Sequence, residues 1–206
     1  MILSILIPVL PRRYGVFMKL LKELQRQVTY MHENHPLLGL IEIVFDDSPG
    51  FLDGGCSIGA KRNILRQKAI GKYQVFFDDD DDIAPNFIET LVRLAQNDAD
   101  IITYRCLFKN DNYWSVINMS LENKVNEEAT PERVVQRTPW HVCPVKTEIA
   151  RKESFDDELN HNEDFTYMEK IFPYIKTEAH TDKILTQYNH SELNSEADKI
   201  LKAGYR

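Results

Sequence analysis

A chain of 206 residues, 43% hydrophobic and 28% charged, has the balance of one globular domain with a real core. A net charge of −7 argues against a broad basic face for nucleic acid, and three scattered cysteines (Cys56, Cys106, Cys143) argue against a disulfide framework or a structural zinc site. No stretch approaches the roughly 18 apolar residues that span a bilayer, and the apolar start lacks a basic leader and a cleavage site, so the expectation is a cytoplasmic protein.

Residues 2–9 form a short Ile- and Leu-rich run ended by prolines, which predicts a buried strand. Residues 16–31 carry Phe17, Leu20, Leu21, Leu24 and Val28 at helical spacing and predict an amphipathic helix. A second strand is expected at 40–45, stopping at Asp46-Asp47-Ser48-Pro49-Gly50, and a helix at 57–70 carrying Lys61, Arg62 and Arg66. A third strand at 73–77 breaks into five consecutive aspartates, 78–82; Pro85 then suits the first turn of a helix running to 95, and a fourth strand covers 100–107. Strand and helix alternate through this half, which predicts an α/β fold with a mostly parallel sheet covered on both faces. Beyond it the pattern loosens. Strands are expected at 112–118, 142–146 and 184–188, with a short helix at 131–136 and another at 164–173.

Ligands of an open parallel sheet sit beyond the carboxyl ends of its strands, and both acidic clusters fall there. Adjacent carboxylates repel, so such a run needs water, counter-charge or a cation; Mg²⁺ or Mn²⁺ with oxygen ligands suits it. The bland alternative is a solvated acidic loop. Against it, an aromatic-rich buried strand leads straight into the run and a proline follows.

Gly59-Ala60-Lys61-Arg62-Asn63, then Ala69-Ile70-Gly71-Lys72-Tyr73, then Phe76-Phe77-Asp78-Asp79-Asp80-Asp81 with Pro85 beyond, resembles the large inverting family-2-like group of GT-A-fold glycosyltransferases. Ile5-Leu6-Ile7-Pro8 and Asp46-Asp47-Ser48 match that group's opening. The resemblance implies a single GT-A-like domain over residues 1–206, with a nucleotide-sugar half at 1–108 and an acceptor half at 109–206. It assigns Asp78 and Asp80 to a D-x-D motif, Asp80 as the more direct ligand of Mn²⁺ or Mg²⁺ and Asp78 nearer the donor ribose. Pro8, Asp46, Asp47, Arg62 and Asp79 fall on the donor side, with Asp46 or Asp47 at the nucleobase and Arg62 at the phosphates. Ser-Pro-Gly after Asp46-Asp47, where Gly-Ser-Thr-Asp is usual, leaves the nucleobase open. Pro-Val-Leu-Pro-Arg-Arg at the end of the first strand, in place of Pro-Thr-Tyr-Asn, does the same for the donor's identity.

Inverting transfer needs a carboxylate to remove the acceptor's proton. Phe155-Asp156-Asp157-Glu158 followed by Asn162-Glu163-Asp164-Phe165 resembles the group's F-D-E and E-D pair, which makes Asp164 the base and Glu163 its helper; on the residues alone, this stretch is a helix start. His190 is the candidate third metal ligand and Trp140 a candidate acceptor contact, while His141 and His161 read as loop or packing histidines. Arg66 shares Arg62's helical face and offers further charge for a diphosphate.

The expected reaction moves a sugar from a nucleotide-sugar, UDP-linked by preference, to an unidentified hydroxyl. Acceptors range from glycans to modified bases of viral DNA, and a protein partner or homo-oligomer is allowed. The alternatives are a nucleotidyltransferase, which would want a glycine-rich loop after the first strand where Leu10-Pro11-Arg12-Arg13-Tyr14-Gly15 stands, and a non-catalytic nucleotide- or metal-binding module.

Overall fold

The computed structural model describes residues 1–190 and 196–202. Strand β1 (Leu3–Pro8) is buried along its whole length and pairs in parallel with β2 (Ile41–Asp46) on one side and β3 (Tyr73–Phe76) on the other. Helix α1 (Tyr14–Asn34) links β1 to β2, burying Phe17, Leu20, Leu21, Leu24 and Met31, the apolar stripe that its period demands. Helix α2 (Ile58–Lys68) links β2 to β3, and Ser57 caps it by accepting the Ala60 N–H at 3.0 Å.

After the aspartate run come β4 (Asp82–Ile83), α3 (Phe87–Leu94) and β5 (Ile101–Lys109). Pro85 lies before α3 rather than in its first turn; Gln27 of α1 serves that helix start, its Oε1 accepting the Ile88 N–H. The chain continues through β6 (Trp114–Met119), β7 (Val134–Arg137), β8 (Val145–Lys146), α4 (Thr147–Ala150), α5 (Glu163–Ile171), β9 (Glu178–Asn189) and α6 (Glu196–Lys202). One sheet in the order β2-β1-β3-β8-β5-β6-β7 joins both halves, with β9 lying along β5 and also pairing with β4.

The expected α/β class holds, and the sheet is parallel through β2, β1 and β3. Further on it is mixed: β8 runs antiparallel between β3 and β5, β6 runs antiparallel to β5, and β9 runs parallel to it. The helix expected at 131–136 is absent; β7 stands there because its backbone pairs with β6, and this tertiary pairing overrides local propensity. The strand expected at 142–146 shrinks to β8, and that at 184–188 extends back to Glu178 because β5 templates it.

Candidate active site

The aspartate run turns at the carboxyl end of β3, and its side chains alternate. Asp78 and Asp80 are 30% and 28% exposed and line a cleft of about 1320 Å³. Asp79 and Asp81, 2% and 4% exposed, turn inward. Asp79 organises the loop after β1, accepting the Leu10 N–H at 2.7 Å and a bond from Arg13 at 3.0 Å; Arg13 also lies 2.9 Å from Asp80. Burial, with Asp78 and Asp79 adding to it, pushes the Asp80 carboxyl up to about 6 against the pull of Arg13. Burial and then the charges of Asp78 and Asp80 hold Asp81 well above the usual carboxylate range. The run tolerates itself by dividing labour: Asp78 and Asp80 face the cleft, Asp79 is tied to Arg13, Asp81 is buried and disposed to stay neutral, and Asp82 accepts from Gln187 and Asn189 of β9.

Helix α2 crosses from the aspartate run to the 155–164 segment. Its positions 59, 62, 63 and 66 form one face that is buried although it is mostly polar. Gly59 meets the 155–159 loop so closely that a Cβ there would stand 1.9 Å from the Asp156 carbonyl oxygen. Asn63 donates to the Phe155 carbonyl at 2.9 Å and to Asp157 at 2.6 Å. Arg62 donates through Nη2 to Asp78 at 2.9 Å and through Nε to Glu163 at 3.0 Å, beneath the rings of Phe76 and Phe155. Its Nη1 is buried with no hydrogen-bond partner among the described residues.

Glu163 and Asp164 open α5, where first-turn N–H groups favour negative charge. Asp164 Oδ2 accepts from Trp140 Nε1 at 3.0 Å and from His141 Nδ1 at 2.7 Å, while Oδ1 accepts the Phe165 N–H at 2.8 Å. Burial opposes its ionisation, but His141, Arg62 and the Phe165 N–H outweigh burial and hold the carboxyl well below the usual range. His141 Nε2 is buried without a hydrogen-bond partner among the described residues, 4.0 Å from Asp78.

The cleft thus gathers Pro8, Arg62, Asp78, Asp79, Asp80, Trp140, Glu163, Asp164 and His190. Asp46 and Asp47 are not among the described residues that line it; Asp46 accepts the Ser48 N–H at the end of β2. Arg66 is not among the described residues that line the cleft: it donates to the Ala150 carbonyl and to Ser154, which cover the far end of α2's face. Lys61 is buried and bonds the Val9 and Ser48 carbonyls, joining the loops after β1 and β2. His141 is no mere packing histidine, since it binds the proposed base. Sequence named His141 only as a loop or packing histidine and Arg13 only within the basic loop after the first strand; nothing local tied His141 to Asp164.

Among the described residues, no three His, Cys, Asp or Glu side chains converge on a metal position. The donor chemistry nonetheless suits a hard cation. Asp78 and Asp80 present carboxylates to the cleft, and Mg²⁺ is commonly held by one or two carboxylates with water and substrate phosphates completing its shell. The His190 ring stacks on Phe108 at 6.0 Å and borders the same cleft.

The mixed α/β sheet, with an acidic turn at its central carboxyl edge and a carboxylate pair across one cleft, has the GT-A glycosyltransferase fold. Residues 57–159 match the sequence model of Glycosyl transferase family 2, half of the chain, and the chain belongs to that family. A comparison with curated proteins gives no match. Among solved structures, S. aureus TarS 1–349 in complex with UDP-GlcNAc superposes with a TM-score of 0.63 at 14% identity, over 97% of this chain and 61% of that one. The same TarS segment in complex with UDP gives 0.61 at 16% identity, over 93% and 61%. This chain therefore spans about 61% of those TarS chains, and at such identities the likeness speaks for the fold. No helix among the described residues is long and apolar enough to cross a membrane.

Proposed function

We propose that this chain transfers a sugar from a UDP-linked donor to an acceptor hydroxyl with inversion, using a divalent cation. The observation that carries the reading is the single cleft in which Asp78 and Asp80 face Glu163 and Asp164, with Arg62 bonded to both groups. The donor diphosphate lies beside Asp78 and Asp80. Asp80, Asp78 and His190 would hold Mn²⁺ or Mg²⁺, which when bound neutralises charge on the departing diphosphate. Asp46 or Asp47, at the carboxyl end of β2, remains the assignment for the nucleobase although neither lines the cleft among the described residues.

On the acceptor side, Asp164 is the base. It is ionised, it borders the cleft, and Oδ1 keeps a lone pair open beside its single bond to the Phe165 N–H. The acceptor hydroxyl gives its proton to that oxygen as it attacks the sugar carbon from the face opposite the diphosphate. Glu163 holds Arg62, and Trp140 forms part of the acceptor wall. The TarS complexes with UDP-GlcNAc and UDP favour a uridine donor. Against a nucleotidyltransferase, the loop after β1 commits Arg13 to Asp79 and Asp80 rather than to a triphosphate.

The test is thermal unfolding with UDP, GDP, CDP, ADP and TDP, each with and without Mn²⁺. UDP with Mn²⁺ is expected to stabilise the protein, by about 2.7 kcal/mol at a hundredfold excess over Kd. Absence of any shift across the five would overturn the donor site.

A further inference from the structure

We infer that Trp140 and His141 are the positioning pair of the transfer, their two N–H groups fixing Oδ2 of Asp164 so that Oδ1 is the oxygen left to take the acceptor's proton. This rests on the reading of Asp164 as the base. A carboxylate oxygen has two lone-pair sites, and on Oδ2 both are taken, by Trp140 Nε1 at 3.0 Å and His141 Nδ1 at 2.7 Å. An ionised carboxylate only accepts, so His141 must carry a proton on Nδ1. Among the described residues only the Phe165 N–H is bonded to Oδ1, which leaves one site for substrate.

Ordinary satisfaction of a buried histidine explains less. It would pair both ring nitrogens, yet among the described residues Nε2 is buried with no hydrogen-bond partner in the same cleft, 4.0 Å from Asp78. It would also not bring two consecutive side chains onto one oxygen of a cleft-lining carboxylate. The pair is held rigidly from two directions. The His141 carbonyl accepts the Phe76 N–H at 3.3 Å, at the strand end from which the aspartate run departs. The Trp140 ring stands edge-on to Tyr188 of β9 at 5.5 Å, with the Arg137 guanidinium over its face at 5.6 Å. The loop before β8 therefore sets the base relative to the donor edge, a connection separate from the Arg62 bridge.

The test compares Trp140→Phe, His141→Ala, His141→Asn and Asp164→Asn, with the double variant His141→Ala/Asp164→Asn. The readout is nucleotide release from UDP-GlcNAc with Mn²⁺, water serving as acceptor. His141→Ala is expected to lower kcat about 10²-fold with little change in donor KM, a part of what a positioned base supplies. Asparagine can place its amide N–H where Nδ1 stands, so His141→Asn should recover to within about tenfold of the unaltered protein. Trp140→Phe, which keeps the ring and removes the N–H, should fall about tenfold, in line with loss of one bond of about 1.4 kcal/mol. In the Asp164→Asn background, His141→Ala should have no further effect.

Unchanged kcat in both His141→Ala and Trp140→Phe overturns the proposal, as does an asparagine variant as slow as the alanine one or full additivity in the double variant. Failure of the transferase reading shows separately, as no nucleotide release from the unaltered protein. The clamp is still judged in that case by the indole N–H spectrum, in which Trp114 and Trp140 give the two expected signals. The signal lost in Trp140→Phe should move in Asp164→Asn while Trp114 stays; an unmoved Trp140 signal counts against the clamp.

Discussion

Along β2, β1 and β3 the functional groups are placed by topology: parallel strands end at one edge, and Pro8 and the aspartate run are delivered there by the chain's direction. Across the cleft they are placed by side-chain bonds. Asp164 comes from the first turn of α5, and its partners Trp140 and His141 lie 24 and 23 residues upstream, in a loop between two short strands. The donor side repeats a pattern that any such sheet produces, while the acceptor side depends on particular bonds. Helix α2 is the joint between them, and its buried polar face belongs to both.

The sharpest way to separate the two sides is to remove one carboxylate from each. Asp164→Asn is expected to lower nucleotide release from UDP-GlcNAc by about 10²–10⁴-fold while leaving stabilisation by UDP and Mn²⁺ intact. Asp80→Asn should instead abolish the Mn²⁺-dependent part of that stabilisation; a variant that keeps it would remove Asp80 from the cation site.

Breaking the joint should cost stability rather than chemistry alone. Arg62→Met leaves Glu163 and Asp78 without their buried partner, and chemical denaturation should show a loss of about 3–5 kcal/mol. Gly59→Ala forces a Cβ against the Asp156 carbonyl and should cost about 1–3 kcal/mol by the same measurement. Gly15, where an added Cβ meets nothing within 4 Å, is the control, expected to stay within about 0.5 kcal/mol.

The smallest effect lies away from the cleft, where Asp100 ties the start of β5 to the approach to β9. Burial opposes its ionisation, but the N–H groups of Lys176 and Thr177, the Thr177 side chain and Lys146 outweigh burial and hold the carboxyl below its ordinary 3.8. Its folded value is depressed, so its contribution is complete above the unfolded pKa and fades as pH falls through the folded one. Asp100→Asn should therefore cost about 1 kcal/mol at pH 7, a deficit that narrows below about pH 4 when stability is followed by urea unfolding. An unchanged deficit at pH 3 would mean that the charge is not what matters there.

Much of the first half's structure was legible from residue order. The apolar period of α1, the Ser57 start of α2 and the break from Tyr73–Phe76 into aspartates are local signals, and local backbone preference acts over a few residues. Glu163 and Asp164 were legible only through resemblance, since on their own they mark a helix start, which they also are. The strand at Val134–Arg137 was not legible, because pairing with β6 rather than composition makes it a strand.

Residue order by itself determined the α/β class, the position of the acidic edge and the residue types available for chemistry, because each follows from periodicity and chain direction. Only the tertiary structure decided which aspartates face the cleft, that Arg62 bridges its two sides, that Arg66 does not reach it, and that His141 binds Asp164. Those outcomes depend on contacts between residues far apart in the chain, where burial removes the competition of water and leaves each charge or N–H to find the partner that packing brings near.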